Sequence, residues 1–341
     1  MRYSSIVFTL ALVVLSSCSK EKYFEGDHFF IKNKGAEMPV YVKGNLDSKT
    51  FIVFLHGGPG GNASLASFMP VSQEVEKDFA FVYWDQRGSG LSQGNPDAST
   101  FTVEQFVDDL DLVIDAINVR HDNPRIVLFG TSWGGALGSA YLSSGNNQDK
   151  VDGFICMSSG HNLVEGIPKS VIFVKDYAQQ QIDAGIEVGY WTEARDWCAT
   201  VPDMTVKENY FKYDAYLTNT NAYQKDPDQE IQGPVVGVAG STSSYLSLSV
   251  FFNGSYLIPN FNILELNLSS DMEKIKVPSL VIWGRHDGVN TMEMGYDAYN
   301  SIGGSGFTNK ELVILENSAH AGHVEEQKLF LEAFLDFVHG L

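Results

Sequence analysis

The pattern of apolar and polar residues along the chain alternates between short, unbroken apolar runs and longer stretches with helical periodicity. Unbroken apolar runs are typical of strands covered on both faces of a parallel sheet, and longer periodic stretches predict amphipathic helices. The runs occupy residues 51–55, 79–84, 125–129, 151–157, 279–283 and 311–316, and the clearest helical stretches are 64–77, 102–119 and the last residues through Leu341. This alternation predicts an α/β fold with a doubly wound, mostly parallel sheet and a ligand crevice at the carboxyl ends of the strands.

Two regions depart from this alternation. Residues 28–32 and 38–43 show partly alternating polarity, which predicts an antiparallel opening pair of strands. Residues 161–276 separate two core strands and are rich in Tyr, Trp, Asn and short helical pieces. We expect this insertion to form a mainly helical cap over the crevice, with residues 28–160 and 277–341 forming the core.

The N-terminal residues predict export. Arg2 precedes an apolar run over residues 6–15 that is too short to span a bilayer, so residues 1–17 are typical of a signal peptide. The sequence Leu-Ser-Ser-Cys ending at Cys18 resembles the lipobox of bacterial lipoproteins, which implies lipidation of Cys18 and a polar tether over residues 18–27. The alternative is an ordinary secretory signal followed by a coincidental cysteine. We therefore expect a lipid-anchored protein of the bacterial cell envelope, facing the periplasm or the cell surface.

The net charge limits the classes of binding partner that we expect, and the cysteine count limits the possible disulfides. The formal net charge of −19 over 341 residues disfavours binding to nucleic acid or to anionic lipid, so we expect contact with a membrane only through the N-terminal lipid anchor. Removal of Cys18 leaves Cys156 and Cys198, which we expect to be buried or free thiols rather than a disulfide.

The stretch at residues 125–142 predicts a buried strand, a sharp turn and a helix, with Ser132 on the turn. Gly130 and Gly134 flank the serine as Gly-x-Ser-x-Gly, the pattern of a nucleophile elbow. A second match surrounds Ser92, but Pro96 follows closely and prevents a helix from starting there. We therefore predict Ser132 as a nucleophile and Ser92 as a loop residue.

The Gly-rich loop at residues 56–61 follows the strand 51–55 and lacks the Lys-Ser/Thr of a phosphate-binding loop. A loop without side chains can turn a backbone N–H toward a developing oxyanion, so we predict the N–H groups of Gly58 and Trp133 as an oxyanion hole. In the turn at residues 85–90 we expect Asp85 and Arg87 to form a pair that pins this loop beside the site.

Two further side chains complete a predicted triad. Asp287 follows the strand 279–283 and His320 follows the strand 311–316, so that the order Ser, Asp, His is the one used with a nucleophile elbow. His323 is a weaker candidate for the base, because we expect it to enter the terminal helix. His320 and His323 lack a third ligand nearby, so no metal site is predicted, and the chemistry requires no cofactor.

Three motifs together resemble the α/β-hydrolase superfamily, and within it the proline iminopeptidase-like group: His-Gly-Gly-Pro-Gly from His56, Asp-Gln-Arg-Gly-Ser-Gly from Asp85 and Gly-Thr-Ser-Trp-Gly-Gly from Gly130. The resemblance implies the α/β-hydrolase fold, the triad Ser132, Asp287 and His320, and the same oxyanion hole. It does not extend to the cap. Such aminopeptidases bind the free amine of the substrate with cap glutamates, and no stretch here matches that motif.

The predicted reaction is acyl transfer through an acyl-enzyme. The sequence does not decide between several substrate classes. One hypothesis is an aminopeptidase of the proline iminopeptidase type that acts on short peptides. Another is a carboxylesterase or lactonase for small apolar acyl groups. A third is an envelope-anchored binding protein on a hydrolase fold, which the intact triad disfavours. The substrate-binding residues are not predicted; Glu165, Glu187 and Glu193 are available in the cap, although solvated helix faces explain them equally well.

Overall fold

The computed structural model describes residues 26–226 and 263–341. The predicted signal peptide, Cys18 and the tether up to residue 25 lie outside these ranges, as do residues 227–262 of the predicted cap. In the described residues the strands are β1 Gly26–Asn33, β2 Ala36–Gly44, β3 Thr50–Leu55, β4 Ala80–Trp84, β5 Gln93–Gly94, β6 Arg125–Thr131, β7 Gly153–Met157, β8 Ser279–Gly284 and β9 Lys310–Leu315. The α-helices are α1 Ala63–Ala66, α2 Pro70–Asp78, α3 Val103–Arg120, α4 Trp133–Ser143, α5 Leu163–Asp183, α6 Val188–Ala199, α7 Lys207–Thr218, α8 Met292–Ser301, α9 Gly322–Glu325 and α10 Gln327–His339.

The strands form one sheet in the order β1-β2-β4-β3-β6-β7-β8-β9, with β5 paired to β2. The pairs β1–β2 and β2–β4 are antiparallel, whereas every pair from β4 to β9 along this order is parallel. Strands β4, β7 and β8 are buried along their whole length, as their unbroken apolar sequences predict. The prediction of a doubly wound, mostly parallel sheet is confirmed.

Helices cover both faces of the sheet. Helices α3, α4 and α8 pack on one face around residues such as Leu110, Leu137 and Met294. Helices α2 and α10 pack on the other face, where Phe330 and Phe334 are fully buried. Because these strands are parallel, the carboxyl ends of β3, β6, β8 and β9 lie along one edge of the sheet.

The predicted helix over residues 64–77 is wrong in one respect, because the structure divides it into α1 and α2. Met69 has an extended backbone (φ −76°, ψ 139°), and Pro70 is the first residue of α2. A proline has no N–H to donate and disfavours helical backbone at the residue before it, so the helix cannot pass through this point. Pro70 was visible in the sequence as the signal for this break.

Helices α5, α6 and α7 follow β7 and pack mainly on each other. Their shared core contains Val174, Trp191, Tyr213 and Leu217, and it is separate from the two core clusters of the sheet. At its base, the chain entering and the chain leaving this helical region pair through the Leu163 N–H to Leu266 carbonyl bond of 2.8 Å. None of the helices in residues 26–226 and 263–341 combines the length and the apolar character needed to cross a bilayer.

Cys156 and Cys198 are both free and buried, which confirms the expectation that they form no disulfide. Burial raises the pKa of the Cys156 thiol to about 12 and that of the Cys198 thiol to about 11. Neither thiol is therefore ionised near neutral pH, and neither is a reactive nucleophile.

Candidate active site

Ser132 lies on the turn between β6 and α4 with a left-handed backbone (φ 54°, ψ −119°). A side chain with positive φ is strained, and the surroundings hold it there: the Ser132 N–H donates to the Met157 carbonyl at 2.9 Å. The flanking glycines are required, because a Cβ at Gly130 would collide with the Gly134 backbone and a Cβ at Gly134 would collide with the Leu55 carbonyl. The turn thus has the geometry predicted for a nucleophile elbow.

Asp287 and His320 are joined by a hydrogen bond. The His320 Nδ1–H donates to Asp287 Oδ2 at 2.8 Å, because a carboxylate can only accept. The other oxygen of Asp287 accepts the backbone N–H groups of Val289 and Asn290, both at 2.9 Å, and the carboxylate is buried. Asp287 therefore fixes the imidazole as the tautomer whose Nε2 carries a lone pair, which is the form a general base needs.

The structure brings the histidine loop beside the nucleophile strand but does not bond the two side chains. Within the described residues, the imidazole of His320 bonds to Asp287 and not to Ser132. Thr131, which precedes the serine, and His323 line the same small apolar cavity. Hydrogen bonds of catalytic groups are commonly loose in the absence of substrate, so this separation is compatible with a nucleophile and base pair.

His323 does not enter the terminal helix as predicted, but its surroundings agree with its being the weaker candidate for the base. It lies in the short helix α9, which is separated from α10 by the non-helical Glu326, so it does not enter the terminal helix. Burial, and next the charge of His320, lower the pKa of His323 to about 4. A half-buried side chain that stays neutral in this way is a poorer candidate for a solvent-coupled base than His320.

The Gly-rich loop after β3 lies against the nucleophile. A Cβ at Gly57 would be 3.3 Å from Ser132 Cβ, and Gly58 has a φ of 120° that L side chains rarely adopt. The Gly57 carbonyl accepts the Gly61 N–H at 3.2 Å and faces back into its own loop. The loop therefore turns its backbone tightly next to Ser132, where the sequence places an oxyanion hole.

Asp85 and Arg87 both hold this region in place, but they do not pair with each other as expected. Asp85 accepts the backbone N–H groups of Ala63, Ser64 and Leu91 at 2.7 to 3.0 Å. It therefore joins the start of α1 to the turn after β4. The sequence correctly predicts a structural role for Asp85 and assigns it the wrong partner.

Arg87 pairs instead with Asp109 on α3. Its Nε and Nη2 donate to the two carboxylate oxygens at 2.6 and 2.8 Å, and both side chains are fully buried. Asn33 and Gln105 donate to the same carboxylate. Such a bidentate, fully bonded pair is the form in which buried charge is tolerated.

The helical region contributes a carboxylate that the sequence did not single out. Asp214 on α7 is half-buried, and burial raises its pKa. Among the described residues it has no hydrogen-bond or ion-pair partner. Tyr210 lies one helical turn before it on the same face of α7. Burial raises the pKa of Tyr210, and the charge of Asp214 raises it further.

Tyr223 packs against the histidine of the predicted triad. Its ring meets the His320 ring edge to face, with centroids 5.8 Å apart. Burial raises the pKa of Tyr223, and the charges of Asp214 and then Asp287 raise it further. The charges of both carboxylates therefore reach Tyr223, the residue whose ring packs on His320.

The chain around Tyr223 is bonded to both triad loops. The Ala222 carbonyl accepts the N–H groups of Gly288 and of His320, each at 3.3 Å. Glu325 bridges the same segment to the histidine loop, because its carboxylate accepts the Lys225 and Ala319 N–H groups at 2.7 Å. This part of the helical region is therefore continuous with the loops that carry Asp287 and His320.

The three glutamates considered in the sequence do not match Asp214 in these respects. Glu165 bonds to Lys169 at 2.9 Å and Glu193 to Lys212 at 3.0 Å, all on solvent-facing helix surfaces. Glu187 is exposed at the start of α6. In residues 26–226 and 263–341 there is also no group of three or more His, Cys, Asp or Glu side chains that could hold a metal ion.

Comparison with known proteins gives the same fold. A family described as "alpha/beta hydrolase fold" matches residues 50–327. A proline iminopeptidase of Saccharolobus solfataricus is 27% identical over 87% of this chain and 86% of its own, and one of Flavobacterium johnsoniae is 22% identical over 91% and 96%. The crystal structure of a proline iminopeptidase from Mycobacterium smegmatis superposes with a TM-score of 0.61 at 17% identity, covering 92% of this chain and 98% of that one.

Proposed function

The chain belongs to the α/β-hydrolase fold family, and we propose that it is a serine hydrolase of the aminopeptidase type, which releases an N-terminal residue, proline foremost, from short peptides. The core supplies the acyl-transfer chemistry, and Asp214 supplies recognition of the free amine. The observation that supports this proposal is that Asp214 is a half-buried carboxylate with no partner among the described residues, and that its charge raises the pKa of Tyr223, whose ring packs on His320.

In the proposed reaction, Ser132 is the nucleophile, His320 is the general base and Asp287 orients the imidazole. His320 Nε2 takes the proton of Ser132 as Oγ attacks the carbonyl carbon of the scissile amide, while Asp287 holds the imidazole through Nδ1. The N–H groups of Gly58 and Trp133 stabilise the oxyanion. His320 then protonates the leaving amine, and a water activated by the same nitrogen hydrolyses the acyl-enzyme.

The amine of the substrate has a natural partner at Asp214. A carboxylate whose pKa is raised by burial has lost solvation that no cation replaces in the described structure. An ammonium group restores that solvation and gains a charge-assisted hydrogen bond. We propose that this bond holds the amine of the substrate while Ser132 attacks the carbonyl of the first residue.

The alternative is a carboxylesterase or lactonase with the same triad. In that case the crevice would bind an apolar acyl group, and a buried carboxylate without a cation would oppose binding. The aminopeptidase accounts for Asp214, and the names of the relatives of this chain agree with it.

Location remains a prediction from the sequence alone. We propose that Cys18 carries the lipid anchor, so that the enzyme meets peptides in the cell envelope. Metabolic labelling with a radioactive fatty acid tests this: the full chain should incorporate label and Cys18→Ser should not. Equal labelling of the two chains would refute lipidation at this cysteine.

The proposed function is tested by substrate choice. The chain from Ser19 onward is given L-prolyl arylamide and, in parallel, a short-chain nitrophenyl ester, with Ser132→Ala as the blank. We expect Ser132-dependent turnover of the arylamide that rivals that of the ester. Turnover of the ester alone would contradict the aminopeptidase and leave a serine esterase.

A further inference from the structure

Gln86 touches both segments that carry the proposed oxyanion-hole donors. It follows Asp85 in the turn after β4 and is fully buried. Its Oε1 accepts from the Trp133 Nε1–H at 2.9 Å, and its Nε2 donates to the His56 carbonyl at 3.3 Å. Trp133 begins α4, and His56 begins the Gly-rich loop, so one amide side chain spans from one segment to the other.

The orientation of this amide follows from its partners. An indole N–H can only donate and a backbone carbonyl can only accept, so the oxygen of Gln86 must face Trp133 and its nitrogen must face His56. The reversed amide would lose both bonds. Both polar atoms of the side-chain amide are therefore hydrogen-bonded. The two segments are held apart by the length of one glutamine side chain.

His56 extends the connection into the Gly-rich loop. The Gln86 backbone N–H donates to His56 Nε2 at 3.2 Å, so the opposite nitrogen, Nδ1, carries the proton and donates to the Gly57 carbonyl at 2.8 Å. Burial lowers the pKa of His56, which keeps the ring neutral and this tautomer constant. The same carbonyl receives the Gly61 N–H, so the loop carrying Gly58 is held from both sides.

We propose that Gln86 is the positioning residue of the oxyanion hole, setting the Gly58 and Trp133 N–H groups to converge on one substrate oxygen. This inference rests on the proposed function, because it assigns a role within the same acyl transfer. Gln86 does not touch the substrate. It acts on the two backbone segments, so its removal should weaken the transition state more than the ground state.

The test is Gln86→Met, which keeps the length of the side chain and removes both amide bonds. We expect kcat for L-prolyl arylamide to fall roughly 10- to 100-fold with KM changed less than about twofold, which is smaller than the loss of a whole oxyanion donor. The rate at which a fluorophosphonate modifies Ser132, followed by intact mass, should fall in parallel, because its tetrahedral adduct uses the same hole.

Gln105→Met is the matched control. Gln105 is also buried, and its amide donates to Asp109 on the far side of the Arg87 pair rather than to either oxyanion segment. Both variants remove a buried amide, so both should lower the melting temperature, but Gln105→Met should keep the wild-type kcat. Equal losses of kcat in the two variants would reduce Gln86 to a residue needed for stability and overturn the inference.

A second variant covers the case in which Gln86→Met does not fold. Trp133→Phe keeps the backbone N–H of residue 133 and removes the indole donor, so it breaks one end of the connection. We expect a several-fold loss of kcat at constant KM, and a wild-type kcat would overturn the inference. A wild-type enzyme without Ser132-dependent turnover would instead remove the proposed function itself, so the two failures are distinguishable.

Discussion

The buried Arg87–Asp109 pair of the core and Asp214 of the helical region differ in how their charges are met. In the core, the buried Arg87, Asp109 and Gln86 have their polar groups bonded to protein partners. In the helical region, Asp214 is half-buried without a partner among the described residues, and burial raises its pKa. The Arg87–Asp109 pair is thus complete within the protein, whereas under the proposed function the amine of the substrate supplies the countercharge of Asp214.

This difference suggests separate roles for the two regions under the proposed function: the core stabilises the transition state, and Asp214 discriminates between substrates. Groups that stabilise a transition state act best when they are held rigidly, because they then need no reorganisation during the reaction. A group that selects a substrate can do so through a missing countercharge. An unpaired carboxylate disfavours the binding of every ligand that brings no cation. We therefore expect core substitutions to affect all substrates and Asp214 substitutions to affect one class.

The largest expected effect is on turnover. Ser132→Ala should lower kcat for arylamide and ester alike by about 10⁴-fold or more, because both reactions require the nucleophile. Far-ultraviolet circular dichroism and the melting temperature should show that the fold persists. Residual activity within tenfold of wild type on either substrate would place the chemistry elsewhere.

The next largest effect is on stability and contrasts the two regions directly. Asp109→Asn leaves Arg87 buried without its countercharge and should lower the free energy of unfolding by about 3 to 5 kcal/mol. Glu193→Gln breaks an ion pair between exposed side chains, which water and salt screen, so the free energy of unfolding should change far less than in Asp109→Asn. Urea unfolding of both variants measures this, and similar losses would remove the contrast between the two regions.

A smaller effect of opposite sign is expected at Asp214. Its folded-state pKa is raised, so the folded protein binds the proton more tightly than the unfolded chain, and the associated stability is lost as pH rises through the folded pKa. Asp214→Asn should therefore melt at a higher temperature than wild type at neutral pH, and the difference should vanish below the unfolded pKa of about 3.9. A variant that melts lower at neutral pH would show that the carboxylate is compensated after all.

The sequence predicted the parts of the site that depend on local chain geometry. The turn at Ser132 requires glycines at fixed positions, and the parallel strands bring Asp287 and His320 to one edge, so motif and strand order predict this geometry, and the catalytic roles stay predictions. It did not predict that Arg87 pairs with Asp109, because that contact joins a loop to a helix through tertiary packing. It also missed Asp214, although the flanking Tyr213 and Tyr216 gave a signal: an acid within an aromatic run.

The aromatic run could not by itself identify Asp214. Helical spacing places Asp214 on the same face as Tyr210, but the packing of α7 against α5 depends on contacts between distant parts of the chain. That packing is visible in the Tyr213 hydroxyl, which donates to Ser170 on α5, whose hydroxyl donates in turn to the Gly288 carbonyl beside Asp287. Such a chain of contacts has no counterpart in local sequence.

The most direct test of the division between core and cap is the kcat/KM ratio for L-prolyl arylamide over its N-acetylated form, measured in wild type and in Asp214→Asn. A charge-assisted bond is worth about 1.5 to 3 kcal/mol, so the ratio should be high in wild type and fall roughly 10- to 100-fold in the variant. Turnover of a short-chain nitrophenyl ester should stay unchanged. A variant that keeps the wild-type ratio, or loses ester turnover equally, would contradict the assignment of amine selection to Asp214.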